Sequence, residues 1–235
     1  MKTSQFQSLL NRLNKRTEHK DIFLSPLSKT VDYGKYWDEL PTPKMSISSG
    51  DGPYSFYFIK NEHGVYVAVV LDMCTDLHWY VGPKHRKKGI LTNAMAQVIL
   101  PDLSTGRETQ QISIDPQQLS EEEVEASQAV ALNLGFVFRD SGDRGFVYEL
   151  DLAKLKKRKP SMASKGMSEE RLKELKRKLN YHSRSLWVIE SEVAAAFGNV
   201  RYSTQLMELV DGIRKHTWKL EDVYYDFKKA NGEQS

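Results

Sequence analysis

The sequence predicts an α+β fold, α/β-like in the order of its elements, with one sheet and an all-helical C-terminal appendage. The sheet is indicated by runs rich in β-branched and aromatic residues, such as "YSFYFIK" and "VYVAVVLDM", which alternate with amphipathic helical patterns. The appendage is indicated by a heptad pattern of apolar residues between 172 and 196. A basic segment with Pro and Gly, 153–167, predicts a linker between the two parts.

The composition is that of a globular chain with a core, since 40% of the 235 residues are apolar and 28% are charged. No stretch approaches the roughly 18 consecutive apolar residues of a membrane span, so we expect no membrane association. The N-terminus lacks the uninterrupted apolar segment of a secretory signal, and we therefore expect a cytoplasmic protein. One cysteine, Cys74, allows no internal disulfide and, beside scattered histidines, gives no metal-ligand spacing. We expect no metal and interpret Cys74 as a small buried residue.

The N-terminal third predicts a helix, a strand and a second helix. Residues 1–20 form the first helix, with apolar residues at helical spacing from Phe6 to Leu13. "DIFLSPL" (21–27) predicts a short strand, and "YGKYWDELP" (33–41) a brief helix that Pro41 ends.

The middle of the chain predicts strands around two helices. Residues 54–60 and 65–73 indicate a hairpin, and "LHWYV" (77–81) a third strand. A helix from about Gly89 to Leu100 follows, which Pro101 ends.

After a strand at 110–115, Ser120 and three glutamates predict the start of a helix over 121–134 that ends at Gly135. "FVF" and "GFVYELDL" then predict two short strands around a turn.

A basic loop, "RKKGIL" (86–91), joins the strand 77–81 to its helix. A glycine-bearing loop at this place brings together unpaired backbone N–H groups, the positive end of a helix dipole and cationic side chains, which is an arrangement that binds phosphate. By itself the loop also fits a solvated basic turn.

Together with "ASQAVALNLGFVFRDSGDRGFVYELDL" (126–152), this loop resembles the GCN5-related N-acetyltransferase (GNAT) family over about residues 22–152. In that family an R/Q-x-x-G-x-G/A loop holds the pyrophosphate of acyl-CoA. The resemblance implies a mixed, mostly antiparallel sheet flanked by helices over 21–152. It also implies acetyl-CoA as cosubstrate and direct attack of an amine on the thioester.

Carried over to this chain, Arg86 and Gly89 occupy the first and fourth positions of the family loop, whereas Leu91 stands where Gly or Ala is usual. The backbone of Tyr80 and Val81 would contact the pantetheine arm. The cofactor-binding residues implied by the resemblance are Tyr80, Val81, Arg86, Lys87, Lys88, Gly89, Ile90, Leu91 and Ser127.

The transfer needs a base that deprotonates the ammonium before attack. Asp76 and His78 are the candidate catalytic residues, with Asp72 behind them. Histidine suits the role because its ordinary pKa, about 6.5, lies near neutrality. The alternatives are that His78 is an ordinary strand residue and that Asp76 serves the turn.

The family often uses a tyrosine four residues before the glycine of the Gly-Phe pair to protonate the leaving thiolate. Ala131 stands there, so another group or solvent takes this role, or the protein binds acyl-CoA without efficient turnover. Tyr148 could substitute or could be a core aromatic. The acceptor amine is not defined by the sequence.

Charge is distributed unevenly along the chain. Residues 1–152 carry 16 Lys and Arg against 20 Asp and Glu, whereas residues 153–235 carry 18 against 11. The segment 154–178 holds 11 basic and 3 acidic side chains. This segment indicates either a nucleic-acid partner or a solvated helix face. A binding protein on a GNAT scaffold, with nucleic acid as ligand, is therefore the alternative function.

The helical region, 168–235, begins with Ser168 as an N-cap. Its heptad seam is formed by Leu172, Leu175, Leu179, His182, Leu186, Ile189, Val193 and Ala196. Two further helices are predicted at 203–216 and 219–230. The seam could pack inside the chain or against a second copy, which would give a homo-oligomer.

Overall fold

The chain divides into two units in a computed structural model that describes residues 3–15, 19–46, 48, 52–142, 145–155, 164–198 and 200–232. The first unit, Met1–Ser164, holds two antiparallel sheets and their flanking helices. The second unit, Lys165–Ser235, holds two long helices. Among the described helices, none combines the length and the apolar character that crossing a bilayer requires.

The first unit alternates helices and strands along the chain. Its elements are α1 (Thr3–Asn14), β1 (Ile22–Pro26), β2 (Val31–Tyr36), β3 (Tyr54–Lys60), β4 (Tyr66–Asp72), β5 (Leu77–Val81), a 3₁₀ turn (Pro83–His85), α2 (Ile90–Ala94), a π-helical turn (Met95–Ile99), α3 (Leu100–Leu103), β6 (Thr109–Ile114), α4 (Glu121–Asn133), β7 (Val137–Gly142), β8 (Gly145–Asp151) and a 3₁₀ turn (Leu152–Lys154).

The first sheet has the order β1-β2-β3-β4-β5, and every neighbouring pair is antiparallel. The brief helix predicted at 33–41 is wrong, because 31–36 is strand β2. Ser28 closes the β1–β2 hairpin, since its Oγ accepts hydrogen bonds from the N–H groups of Thr30 (3.2 Å) and Val31 (3.0 Å). Strands β1 and β3 then supply hydrogen-bond partners for the backbone of β2 on both of its edges. A pattern within 33–41 cannot reveal these partners, because they lie in other segments of the chain.

Each face of this sheet is covered by helix. Phe56 and Phe58 of β3 point to one face and pack in a core cluster with Phe6 and Leu10 of α1. Their neighbours in β3 point to the opposite face, in a second cluster that contains residues of the helix after Ile90. The period-2 alternation of β3 therefore separates two apolar cores.

The helix predicted to end at Pro101 continues to Leu103. Five residues in the middle, Met95–Ile99, form a π-helical turn between α2 and α3. This wider turn shifts the hydrogen-bond ladder, so that Pro101, which has no N–H, lies in the first turn of α3. The proline is accommodated without ending the helix.

A second sheet, with the order β6-β8-β7, corrects the prediction of a single sheet. Helix α4 packs beside it and begins at Ser120 with a capping box, since the Ser120 and Glu123 side chains each bond the other residue's backbone N–H. In the described residues, the two sheets are joined by one parallel bridge between Asp76 and Gln111. The first sheet thus ends at β5, and the second begins at β6.

Cys74 is exposed, contrary to the prediction that it is buried. It lies in the tight turn between β4 and β5 with a positive φ of 68°. Its N–H donates to Asp72 Oδ1 (2.9 Å) and its carbonyl accepts from Arg107 Nη1 (2.7 Å). The geometry of the turn, rather than apolar character, determines its place.

The second unit is an antiparallel hairpin of α5 (Glu169–Phe197) and α6 (Arg201–Ala230). The two helices predicted at 203–216 and 219–230 are thus one. The register is marked by a hydrogen bond from Ser183 Oγ to the Val210 carbonyl (3.0 Å) and by an ion pair between Lys176 and Glu221 (2.6 Å).

The predicted heptad seam is only partly buried in this hairpin. Leu172 is buried, and Leu179 and Leu186 are half-buried, but His182 and Ile189 are exposed. Ser183, one residue after His182, is fully buried instead. The hairpin therefore turns α5 so that one edge of its apolar stripe faces solvent.

Replacing Leu10 by Ala tests the contribution of α1 to the first core. Leu10 is 2% exposed between α1 and the sheet, so we expect Leu10→Ala to lower the free energy of unfolding by about 3 kcal/mol. The matched control is Leu132→Ala on α4, where the leucine is 57% exposed and a change within about 0.5 kcal/mol is expected. Urea unfolding followed by tryptophan fluorescence measures both. Equal effects of the two substitutions would contradict the packing of α1 on the sheet.

Candidate functional site

A cleft of about 940 Å³ lies where β5 and β6 diverge. The strands meet at the Asp76–Gln111 bridge, where the Gln111 N–H donates to the Thr75 carbonyl (3.1 Å). Beyond it each strand pairs within its own sheet, so a gap opens between their carboxyl-terminal ends. The loop after β5 and the first turns of α4 line the gap.

The β5 edge presents backbone groups to the cleft. The Gly82 N–H donates to the Val67 carbonyl (2.9 Å), so the alternation of an antiparallel pair directs the backbone of Tyr80 and His78 toward β4. The backbone groups of Trp79 and Val81 then face the cleft. The Val81 carbonyl accepts from Arg86 Nε (3.2 Å), in agreement with this assignment.

The structure thus directs the Tyr80 backbone to β4 and the Trp79 backbone to the cleft, while the expectation that Tyr80 contacts a cofactor arm stays a prediction. The Tyr80 side chain still lines the cleft, and its hydroxyl donates to Gln7 Oε1 on α1. Val81 lies where it was expected.

The basic loop folds back on itself before the helix begins. Lys87 has a φ of 58° and Gly89 a φ of 70°, which places both in the left-handed region. Glycine adopts this conformation without cost, whereas a lysine there costs about 1 kcal/mol. Ile90 starts α2 directly after Gly89, so the first N–H groups of the helix have no intrahelical acceptor. These donors lie next to three cationic side chains.

Two carboxylates of α4 pair with this loop. Glu123 lies 3.2 Å from Arg86, and Glu122 lies 2.8 Å from Lys87. The hydrogen bond from Lys87 lowers the pKa of Glu122, and the hydrogen bond from the Ser120 N–H lowers the pKa of Glu123. Both carboxylates are therefore ionised at neutral pH. The two ion pairs are lost when the carboxylates take up protons, which happens at a lower pH than for ordinary glutamates. An anionic ligand must compete with them.

Lys88 has no ion pair among the described residues, and its side chain lines the same cleft. The loop thus keeps one unneutralised cation beside the helix start.

Asp76 and His78 form a pair at the base of the cleft. Asp76 Oδ1 accepts hydrogen bonds from the N–H groups of Leu77 and Ser113, both 2.9 Å long. Asp76 Oδ2 lies 3.3 Å from His78 Nε2. The side chain of His78 is 43% exposed and that of Asp76 is 19% exposed. One oxygen of Asp76 therefore holds the two sheets together, while the other orients an imidazole that is open to the cleft.

Asp72 does not belong to this site. Its side chain is 7% exposed and pairs with Arg107 at 2.6 Å, and it is not among the residues that line the cleft.

Ser127 of α4 and Ile90 also line the cleft, so it brings together every candidate site residue of the sequence. The side chain of Leu91 is buried in the core, which accounts for a large residue at the sixth position of the loop. Ala131 is fully buried in the same core. Tyr148 packs edge-on against Phe138 at 5.6 Å between ring centroids, as a core aromatic does.

Sequence reasoning missed the acidic side of the cleft. The sequence marks Glu122 and Glu123 only as the acidic first turn of a helix, and it gives no sign that Asp115 lines a site. Thr3 and Phe6 of α1 also line the cleft, although the sequence shows only that α1 is amphipathic. A contact between distant segments leaves no local pattern that could have revealed it.

The basic segment 154–178 carries less free charge than its sequence indicates. Residues 156–163 lie outside the described residues. Of the described side chains, five pair with carboxylates: Lys154 with Asp151, Arg171 and Lys178 with Glu174, Lys173 with Glu169, and Lys176 with Glu221. The structure also places no group of three His, Cys, Asp or Glu side chains suited to a metal within the described chain.

Neither a protein-family model nor a curated protein sequence matches the chain. Among solved structures, the chain is similar to the crystal structure of the ribosomal-protein-S18-alanine N-acetyltransferase from Escherichia coli. The identity is 16%, the match covers 56% of this chain and 85% of that chain, and the TM-score is 0.30. A likeness this distant carries no argument about function, whereas the residues of the cleft do.

Two substitutions of Asp76 separate its structural contribution from its charge. Asp76→Ala removes the acceptor of two backbone N–H groups, and we expect it to lower the free energy of unfolding by about 2 kcal/mol. Asp76→Asn keeps an amide oxygen in place and should retain most of the stability. Urea unfolding of both variants measures the difference. If Asp76→Asn destabilises as much as Asp76→Ala, the charge rather than the acceptor geometry holds the sheets together.

Proposed function

We propose that the chain is an acyl-CoA-dependent N-acyltransferase, in which an amine attacks the thioester of acetyl-CoA directly. The observation that carries the proposal is a single cleft that holds a free strand edge, a basic loop before a helix, and a carboxylate–imidazole pair. These are the parts that the reaction needs: an anchor for phosphate, a guide for an extended arm, and a base.

The loop would hold the pyrophosphate of CoA. Arg86, Lys87 and Lys88 supply positive charge, and the N–H groups at the start of α2 add donors and the positive end of the helix dipole. Gly89, with no side chain, lets the phosphate approach the backbone. Glu123 and Glu122 would release Arg86 and Lys87 as the ligand enters, because these exposed ion pairs contribute little energy and a pyrophosphate brings more than one negative charge.

The pantetheine arm would lie along β5. Its amide groups can bond the backbone of Trp79 and Val81 as an added strand would, which fixes the arm without specific side chains. The arm then points from the loop toward the bridge at Asp76, so that the thioester arrives beside His78.

His78 would act as the base, with Asp76 orienting its ring. The imidazole takes a proton from the substrate ammonium, and the free amine attacks the thioester carbon. A C–N bond forms and the C–S bond breaks, so that CoA leaves as a thiolate. The nitrogen loses its second proton as the amide forms, and water passes this proton to the thiolate. Bringing the amine and thioester together in the cleft supplies the orientation that a bimolecular reaction in solution lacks. Ala131 and Tyr148 are both buried and take no part.

Binding of nucleic acid on the same scaffold remains the competing function. The ion pairs of the described residues in 164–178 reduce its electrostatic basis, whereas the cleft favours acyl transfer.

Replacing Arg86 tests the loop. CoA should raise the melting temperature of the wild type, because a ligand that binds the folded state stabilises it. We expect Arg86→Ala to raise the dissociation constant for CoA about tenfold, since a charge-assisted contact is lost. Isothermal titration calorimetry measures the constant.

The matched control is Lys84→Ala, which removes a charge from the 3₁₀ turn just before the loop, at an exposed residue that does not line the cleft. It should leave the constant unchanged. Equal constants for Arg86→Ala and the wild type would contradict the loop assignment. No stabilisation at millimolar CoA, together with salt-sensitive binding to DNA or RNA, would favour the competing function.

Replacing His78 tests the base. We expect His78→Gln to lower kcat about a hundredfold while the dissociation constant for CoA stays the same, because the imidazole contacts the amine rather than the cofactor. Thiol release from acetyl-CoA with a panel of primary amines and peptides measures the rate. His63→Gln, in the exposed turn between β3 and β4, is the control. A kcat that His78→Gln leaves unchanged would rule out His78 as the base.

A further inference from the structure

The α5–α6 hairpin leaves one row of side chains on each helix outside its buried seam. On α5 the row is Leu175, His182, Ile189 and Ala196, of which only Leu175 is half-buried and the rest are exposed. On α6 the row is Tyr202, Leu209, His216 and Val223, and all four are exposed. Within each row the residues recur every seven positions, which is nearly two full turns, so each row runs straight along its helix.

Both rows lie on the same side of the hairpin. On both helices, members of the row directly precede a buried seam residue: His182 precedes Ser183, and Leu209 precedes Val210. Each row is therefore turned from the seam by the same angle, about 100°. Two antiparallel helices are related by a local two-fold axis perpendicular to the plane that contains both helix axes. Rotation about this axis keeps every residue on its own side of the plane. Two rows turned from the seam by the same angle therefore lie on the same side of the hairpin. The rows form one continuous face, which we call the row face.

We infer that the row face packs against the row face of a second copy of this chain, with the two hairpins antiparallel, to form a four-helix bundle. The face is about 32 Å long, since each row spans about 21 residues at about 1.5 Å each, and about 20 Å wide across two helices. It therefore offers roughly 640 Å² from each chain, which lies within the range of about 600–1,000 Å² per partner that stable protein–protein interfaces bury.

Charge complementarity favours the second copy as the partner and the antiparallel orientation. In this orientation Glu208 lies beside Lys219 of the partner subunit, and Arg201 lies beside Asp226 of the partner subunit. No salt bridge within the described chain involves these four side chains. Opposite charges thus meet along the edge of α6, as they do at the flanking positions of coiled coils.

The parallel orientation of the same two faces is disfavoured. It would place Lys178 beside Lys219 of the partner subunit and Glu192 near Glu208 of the partner subunit. Like charges at such positions destabilise a helical pair.

Small residues lie where the two-fold axis would cross the helices. The axis passes near Gly212 on α6 and Ser185 on α5. A side chain at Gly212 would meet nothing within 4 Å inside the chain, so packing within the hairpin does not explain the glycine. Glycine in a helix interior costs about 1 kcal/mol relative to alanine. Close approach of a partner helix at this point accounts for it.

Sedimentation equilibrium of the full chain tests the inference. We expect a mass of about 54 kDa, twice the 27.0 kDa of one chain. Leu209→Glu should give a monomer, because it places a charge in the interface. Trp218→Glu is the matched control on the same helix, since Trp218 is 63% exposed, compared with 57% for Leu209, but lies off the row face. It should leave the dimer intact.

A charge exchange tests the orientation and does not depend on how Leu209→Glu folds. Glu208→Lys and Lys219→Glu should each raise the dimer dissociation constant about tenfold, and the double variant should restore it. A monomeric wild type, dissociation by Trp218→Glu but not by Leu209→Glu, or a double variant weaker than either single variant would each overturn the inference.

Discussion

The site depends on how Asp76 joins the two sheets. One of its oxygens accepts two backbone N–H groups, one from its own strand and one from β6, beside the bridge where the Gln111 N–H donates to the Thr75 carbonyl. If the strands paired over their full length, the hydrogen-bonding edge of β5 would be used up within the sheet and no cleft would exist. Because they meet only here, the same strand edge stays available to a ligand and ends at the basic loop.

The hydrogen bonds of Asp76 to the two strands also fix the carboxylate that orients the candidate base. Asp76 Oδ1 accepts the two backbone N–H groups, which leaves Oδ2 to face His78 Nε2. Asp76 thus both supports the contact between the sheets and orients the candidate base. A substitution that removes its carboxylate changes both, unless the new side chain keeps a hydrogen-bond acceptor in the same place.

Much of the fold and of the site could be predicted from the sequence, because the signals involved were local. The runs of β-branched and aromatic residues in β3, β4 and β5 and the cap at Ser120 each lie within a short window, and so does the glycine-bearing loop. The strand β2 was missed because its backbone is satisfied by two other strands, which no short window contains. The carboxylates that pair with the loop were missed for the same reason, since Glu122 is 35 residues from Lys87.

The heptad repeat of the tail shows how one local signal can serve two packings. A seven-residue repeat with several apolar positions defines a stripe wider than one helix–helix seam requires. The hairpin uses the edge of the stripe that contains Leu172 and Ser183, and this choice leaves His182 and Ile189 outside. The seven-residue period alone does not show which edge of the apolar stripe packs within the hairpin. In the structure, the buried Ser183 hydroxyl donates to the Val210 carbonyl, and this contact marks the edge that packs within the hairpin. Packing within the chain and assembly with a second copy are then not alternatives, since each uses a different edge of the same repeat.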